Sequence, residues 1–403
     1  MSADAATLSV KGTIERGYER VRDGFAEGQR GDEGGAQLCV YRHGNKVVDL
    51  WGGRDTMGNR PYAGDALTVI MSCTKGVTAT AALMLVERGL LDPEERVTRY
   101  WPEFGQAGKE DLRVHHLFAH TSGLNGFDPA LEIAPRDLLD FGRCTNALAR
   151  MEPLWKPGTA SMYHAITYGY LIGELVRRVD GRSIGRFVAG EISAPLKLDL
   201  WIGLPAPEEP RVARQFSRRP NGTVEQITAF FRAAGVDLGN RVVRTIISVV
   251  AGTEEAMRIL DSREGHAAEI PAGNALSDAR SLARMYAATI SEIDGVRLLN
   301  KDTVARARVP RNDGLNAPEP LSKFPPFAPQ RFGLGYMLTR FANPMLGETS
   351  FGHDGAGGRV GFADPESGFA VAYLCNNMSW DALAGPDPRW MPWLSALSDL
   401  AKK

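Results

Sequence analysis

The stretch "VIMSCTKGVTATAALMLVERGLLDPEERV", residues 69–97, places a serine and a lysine three positions apart where a helical pattern begins. Val77, Ala81, Met84 and Leu85 fall at i, i+4, i+7 and i+8, so one face of that helix is apolar. Gly89 can end it in the left-handed conformation, and Pro93 blocks a restart. Ser72 and Lys75 share a face one turn apart, which brings an amine within reach of a hydroxyl. The free N–H groups and positive potential of a helix start favour an oxyanion, including the one formed when a serine attacks a carbonyl. Gly76 and Ala79 are small and let another element approach. S-x-x-K alone is a weak pattern. Here it occurs once in the chain and follows a turn-rich run over 53–61.

Working outward, residues 11–27 have helical spacing. "GGAQLCVYRHGNKVVDLWGG", residues 34–53, has two β-rich runs around His43-Gly44-Asn45, a hairpin signal. From 69 to about 293 the pattern is mostly helical. "PRDLLDFGRCTNALARM" opens on a proline suited to a first helical position. "AITYGYLIGELVRRVDG" has apolar helical spacing and a terminal glycine, and "SDARSLARMYAATI" opens on a serine N-cap. From about 331 short β-rich runs return, with "PESG" as a hairpin turn, and "WMPWLSALSDLAKK" closes the chain as an amphipathic helix. Strands at both ends with helices between predict an α+β fold. One antiparallel sheet is made by both chain ends (about 1–68 and 294–403), with an inserted helical lobe (about 69–293) in a single catalytic unit. Ser72 then lies near the seam between lobes, a common place for a small-molecule site.

Composition narrows the function. The 403 residues can bury a large core, and 43% hydrophobic with 24% charged is ordinary for a globular protein. A net charge of -1 suggests neither nucleic acid nor an anionic membrane as partner. The first residues lack a basic segment followed by an apolar one, and no apolar run reaches membrane-spanning length. The expectation is a cytoplasmic protein without a signal peptide. Cys39, Cys73, Cys144 and Cys375 are scattered and form no C-x-x-C, so neither a disulfide framework nor a zinc site is expected.

A serine–lysine pair needs a further proton handler and a second oxyanion donor. Tyr163 follows the Pro157-Gly158 turn just before a helical run. His353-Asp354-Gly355 sits on an expected strand edge and is followed by small residues that let a carbonyl approach the backbone. In this order the three stretches resemble the serine β-lactamase and penicillin-binding-protein superfamily, and most of all the class C β-lactamase-like branch with its family VIII carboxylesterases. Ser72 to Lys75 matches S-x-x-K, Tyr163-His164-Ala165 matches Y-x-N, and His353-Asp354-Gly355 matches K-T-G. "LFAHTSGL", "KPGT", "GYLIGELV" and "GRVGFADPESGFAVAYLCNN" add to the likeness, which runs from about residue 36 to the end.

The resemblance implies a β-lactamase-like fold and an acyl-enzyme on Ser72 without metal or cofactor. Lys75 would keep Ser72 activated, and Tyr163 would be base in acylation and then acid for the leaving group. The N–H groups of Ser72 and Ala356 would form the oxyanion hole, with His353 and Gly355 lining the substrate. Two departures favour esters over lactams and peptides. Ala165 stands where the family asparagine contacts the lysine and the substrate amide. His353 replaces a lysine whose charge holds a lactam carboxylate. An alkoxide also leaves with less protonation help than an amide nitrogen. The expected partner is a small ester of short or medium acyl chain. A β-lactamase, a D-amino-peptidase and an acyltransferase could use the same residues.

Tyr163 as base carries an energetic condition. A free phenol titrates near pH 10, so about 0.1% is ionised at pH 7, and reaching neutrality takes about 3–4 kcal/mol. One cation at ~4 Å and an effective dielectric near 20 supplies about 4 kcal/mol. Lys75 is expected to do most of it, before desolvation subtracts its share, and activity to rise with an apparent pKa above about 7.5.

Other readings are weaker. His116 and His120 stand at i, i+4, but without the glutamate of H-E-x-x-H they are expected to pack the turn into "TSGL". Ser122 or Ser367 in a Ser-His-Asp triad lacks a G-x-S-x-G elbow. Asn274 is expected to cap or turn, and Arg88, Arg177 and Arg178 to face solvent. A non-enzymatic binder would need a broken catalytic set, and Ser72, Lys75 and Tyr163 are all present.

Overall fold

The computed structural model describes residues 9–217 and 222–402. The first eight residues, on which the signal-peptide expectation partly rests, lie outside them. Among the described residues no helix is long and apolar enough to cross a membrane.

Both chain ends build one antiparallel sheet. Its N-terminal strands are β1 (Lys11–Ile14), β2 (Gly35–Arg42), β3 (Asn45–Asp55) and the short β4 (Arg60–Pro61). Two further short strands, β5 (Thr68–Val69) and β6 (Leu200–Trp201), flank β7 (Leu276–Ser277) in a separate three-stranded sheet. The C-terminal strands are β8 (Met337–Leu338), β9 (Phe351–Gly355), β10 (Arg359–Asp364) and β11 (Phe369–Cys375). The order in the large sheet is β1-β3-β2-β11-β10-β9-β8, with β4 on β3. β2 and β11 join the two ends of the chain, Val40 facing Val371.

The hairpins form where the sequence predicts them. Arg42 pairs with Asn45 across His43 and Gly44, both at positive φ, which suits the strand twist. Asp364 pairs with Phe369 across the "PESG" turn. Leu38, Val40, Phe369, Val371 and Tyr373 enter one core, while Cys39, Tyr41, Ala370, Ala372 and Leu374 enter another. Both faces of the central strands are therefore covered, which is why these strands read as nearly unbroken apolar runs.

Helices α1 (Glu19–Gly28) and α8 (Met391–Ala401) pack on each other and on the first face through Phe25, Trp393 and Leu397. The second face meets α2 (Cys73–Glu87) and α7 (Ala279–Ile290). Helices α3 (Phe141–Arg150), α4 (Thr167–Asp180), α5 (Val224–Ala233) and α6 (Arg241–Leu260) belong to the segment between the sheet's two halves. Gly89, at φ 69, follows the end of α2 and Gly181, at φ 89, caps α4, both as expected.

Several local expectations are corrected. Residues 11–14 are the edge strand β1 rather than the start of a helix, because they pair with Val48–Trp51. The segment opening at Pro135 is a 3₁₀ turn to Leu139, and α3 starts only after Asp140, whose carboxylate accepts from Arg143 N–H. Asp278, not Ser277, caps α7, because Ser277 is drawn into β7. Arg88 and Arg177 do face solvent as expected and Arg178 is half-buried; all three are ion-paired, Arg177 and Arg178 to the buried Glu174 and Arg88 to Glu191.

Candidate active site

Helix α2 is lashed at its start to the segment after α6. Ile70 N–H donates to Ala275 O at 2.8 Å, Ala275 N–H to Thr74 Oγ1 at 3.0 Å, and Thr78 Oγ1 to Pro271 O at 2.7 Å. Met71, at φ 50, turns the chain sharply into Ser72, and the Ser72 side chain makes no cap bond to the helix. Its hydroxyl is left for other partners. Gly76 is small for a packing reason: a Cβ there would lie 2.0 Å from the Tyr286 hydroxyl on α7.

Two groups meet the Ser72 hydroxyl. Lys75 Nζ lies 3.1 Å from Ser72 Oγ, and Tyr163 Oη lies 2.8 Å from it. The amine also donates to two backbone carbonyls, Ala165 O at 2.7 Å and Ala272 O at 2.8 Å. Lys75 is fully buried, and burial pulls its ammonium down to about 7. A neutral amine has two N–H donors and one lone pair. The two carbonyls can only accept, so they take both donors and leave the lone pair to Ser72. In that state Ser72 donates its proton toward nitrogen. The backbone carbonyl of Ala165 thus holds the lysine at the position where an asparagine side chain was missed in the sequence.

Tyr163 differs from expectation. Burial pushes its hydroxyl up, well past the ordinary tyrosine range, and the Ser72 hydrogen bond offsets only part of this. Lys75 was expected to stabilise the phenolate, but its own desolvation pulls it toward the neutral form. Burial thus favours the protonated phenol, whose hydroxyl donates to Ser72 Oγ. Its ring stacks on Phe332 at 6.0 Å, with His120 at 5.1 Å behind it.

The strand carrying His353-Asp354-Gly355 is β9. Cys73 Sγ donates to His353 O at 3.3 Å, and a Cβ on Gly355 would lie 2.5 Å from Ile70 O and 3.2 Å from Met71 Cβ. The strand end is thus pressed on the turn that carries Ser72, and the exposed Ala356 is the next residue. His353 is wholly buried, with its ring 6.0 Å from those of Tyr163 and Phe332. Its Nδ1 lies 2.6 Å from Asp354 O, a pure acceptor, so Nδ1 carries the hydrogen and Nε2 offers a lone pair. Burial, with Lys75 nearby, holds it neutral, well below the usual histidine range.

Some parts escaped the sequence reading. Asp354 is buried against Arg340 at 2.7 Å and Asn343 at 3.2 Å, which fixes the strand next to the site. The "AHTSG" loop braces Tyr163: His120 Nδ1 accepts from His164 N–H at 3.0 Å, and Ser122 Oγ lies 2.8 Å from His164 Nε2. Had the stretch been read for support rather than metal, its two polar residues beside a glycine were the available signal. His116 instead accepts from Arg113 N–H through Nδ1, in a different turn. Among the described residues no cluster of three or more His, Cys, Asp or Glu could hold a metal. Ser367 is tied to Asp364 in the β10–β11 turn, its hydroxyl donating to the carboxylate at 2.8 Å. Asn274 folds its own loop, accepting from Ile270 N–H and donating to Gly265 O and Ala268 O.

Comparisons with known proteins agree with this geometry. A family model described as Beta-lactamase matches residues 21–391. The chain is 36% identical over 351 residues to "Esterase/beta-lactamase LipL" of Mycobacterium tuberculosis (strain ATCC 25618 / H37Rv), covering 86% of this chain and 77% of that protein. A crystal structure of a family VIII carboxylesterase superposes with a TM-score of 0.80 at 30% identity, over 97% of this chain and 100% of the other. A penicillin-binding protein homolog from Caulobacter crescentus gives a TM-score of 0.78 at 32% identity, with the same coverage of each chain.

Proposed function

Since the chain belongs to the beta-lactamase family, we propose that it is a serine hydrolase that cleaves carboxylic esters of short or medium acyl chain through an acyl-enzyme on Ser72. A hydrolase of the carboxylesterase type is what its relatives support, and the seat of Lys75 carries the mechanistic reading. Two carbonyls use both donors of the neutral amine, so its lone pair is aimed at Ser72 Oγ. Lys75 takes the Ser72 proton as Oγ attacks the ester carbonyl. The oxyanion forms against the N–H groups of Ser72 and Ala356 at the junction of α2 and β9. Tyr163, still protonated and 2.8 Å from Ser72 Oγ, protonates the departing alkoxide, and the proton on Lys75 restores it. Water then enters along the same path and releases the acid.

The alternatives share this machinery. A lactam or peptide amide calls for the recognition that Ala165 and a neutral His353 do not offer. Transfer to an alcohol or amine differs only in what attacks the acyl-enzyme. Intact-mass spectrometry of wild type and Ser72→Ala, each mixed with p-nitrophenyl butyrate or a chromogenic cephalosporin, separates these readings. Turnover or a mass gain with the ester, absent in Ser72→Ala, is expected. Comparable cephalosporin turnover would favour the β-lactamase, and ester turnover that survives in Ser72→Ala would remove Ser72 from the role.

A further inference from the structure

Glycines 355, 357 and 358 surround Ala356 in the turn between β9 and β10. The space that their missing side chains leave is taken by two buried arginines. A Cβ on Gly357 would lie 2.5 Å from Arg359 Nη1, and one on Gly358 would lie 2.0 Å from Arg389 Nη2. The turn is closed by Gly358 N–H, which donates to Gly355 O at 3.1 Å. Gly357, at φ 83, takes the third place, where a type II turn demands a positive φ. The other three carbonyls are held as well. Arg359 donates to Ala356 O at 2.7 Å, Arg389 to Gly357 O at 2.6 Å and Trp390 Nε1 to Gly358 O at 2.9 Å.

The two arginines differ in what balances their charge. Arg389 is ion-paired with Asp387 at 2.7 Å and with Asp32 at 3.1 Å. Arg359 opens β10 opposite Gly355 and is wholly buried, and its other bond goes to the neutral Gln215 Oε1 at 3.3 Å. Among the described residues no carboxylate pairs with it. A buried charge without a counter-ion costs stability, and a neutral donor could hold one carbonyl without that cost. A positive charge at this place has a different use. It lies one residue from the Ala356 N–H, in a water-poor setting where charge acts strongly on a developing oxyanion. Its influence extends to the neighbour of Ser72: burial pushes the Cys73 thiol up, and Arg359 is among the groups that pull it back.

We propose that Arg359 is a positioning residue for the oxyanion hole, which fixes the backbone at Ala356 and supplies positive potential behind its N–H. Arg389 and Trp390 hold the rest of the turn. The assignment rests on the reading above, in which Ser72 is acylated and Ala356 N–H meets the oxyanion.

n-Butylboronic acid forms a tetrahedral adduct with an active-site serine, so its Ki reads the oxyanion hole and does not depend on the fraction of folded protein. Removing an oxyanion donor outright costs about 10²–10³-fold, and removing its support should cost less. For Arg359→Met, Ki is expected to rise about 10–100-fold. kcat/KM for p-nitrophenyl butyrate should fall in parallel, with KM within about twofold of wild type. Arg359→Gln keeps a neutral donor and should fall between, whereas Arg359→Lys keeps the charge and should come within about fivefold of wild type. If Arg359→Met does not fold, the comparison of Lys with Gln carries the test. A merely structural arginine would lower stability and leave Ki in place. A Ki unmoved in the folded variants, or Lys no better than Gln, would therefore overturn the assignment. Boronate binding as tight to Ser72→Ala as to wild type would instead overturn the nucleophile, and the assignment with it.

Discussion

Among the described residues, two serines face a nitrogen base of a side chain at hydrogen-bond distance. Ser72 Oγ lies 3.1 Å from the Lys75 amine, and Ser122 Oγ lies 2.8 Å from His164 Nε2. By distance and by habit the second pair looks more like a hydrolase. Three differences reverse that. His164 donates through Nδ1 to Met162 O at 2.7 Å, a carbonyl that cannot take up the positive charge of an imidazolium as a carboxylate would. Burial pulls His164 down to about 3, so holding a proton there is costly. Ser122 is wholly buried, whereas Ser72 is partly open and sits at a helix start pressed on a strand end. A serine beside a base is therefore a site only where the base can hold the proton and the oxygen can meet a carbonyl.

The strongest attempt to break this contrast is to delete each serine hydroxyl. Ser72→Ala is expected to lower ester kcat by about 10⁴-fold or more, in line with removal of a nucleophile that acts as part of a unit. A fluorophosphonate should add its mass once to the wild type and to Ser122→Ala, and not to Ser72→Ala. Labelling of Ser72→Ala would give Ser122 a chemistry its burial denies it.

Next in size is the base. Lys75→Met keeps the stem and removes the amine, and kcat is expected to fall about 10²–10⁴-fold. The wild-type rate carries the signature. The ammonium is pulled down to about 7, so the competent neutral amine gains population as pH rises. kcat/KM should climb roughly tenfold per unit below pH 7 and level off above it. A phenolate base would instead keep the rate climbing far into the alkaline range, because burial pushes Tyr163 upward. The pH–rate profile over pH 5 to 10 thus decides between Lys75 and Tyr163.

The chain announced the three stretches that meet around Ser72, its hairpins at 43–44 and 365–368 and its closing helix, because each is marked locally by residue type and spacing. What it hid was set by distant partners. Residues 11–14 become a strand only by pairing with β3, and four residues are too few to show a period. The small sheet joins residues near 68, 200 and 276 through two-residue strands that no pattern reveals. Ala165 reads as a lost asparagine, yet its backbone carbonyl, invisible to residue identity, holds Lys75. How far the charge on Lys75 survives is hidden for a related reason. Coulomb attraction can be guessed from neighbours in sequence, but desolvation depends on everything packed around the amine.

A second buried lysine sharpens that lesson. Lys109 also donates to two backbone carbonyls, Gln106 O and Met151 O, and burial pulls it down to about 8. The Phe104 ring lies 5.1 Å from its Nζ, and among the described residues no hydroxyl bonds it. Lys109→Met should therefore leave kcat/KM and its rise through pH 7 within about twofold of wild type. It would cost about 1–3 kcal/mol of stability through unpartnered carbonyls, measured by urea unfolding. A changed pH profile would mean that the titration assigned to Lys75 belongs elsewhere.

The smallest effect tests whether the Ser122 pair supports the site at all. His164 lies between Tyr163 and Ala165, the two residues that touch Ser72 and Lys75. Because His164 Nδ1 gives its hydrogen to Met162 O, Nε2 is the acceptor, and the Ser122 hydroxyl must donate to it. Ser122→Ala leaves that nitrogen buried without a donor, at a cost of about 1–3 kcal/mol in stability. Loosening the loop lets Tyr163 stray from Ser72 Oγ, so kcat should fall severalfold, less than about tenfold, with KM little changed. Ser122→Thr, which keeps the hydroxyl, should restore both. Loss of stability without any change in kcat would make the pair a packing device and leave Tyr163 to be held by the rings around it, Phe332, His120 and His353.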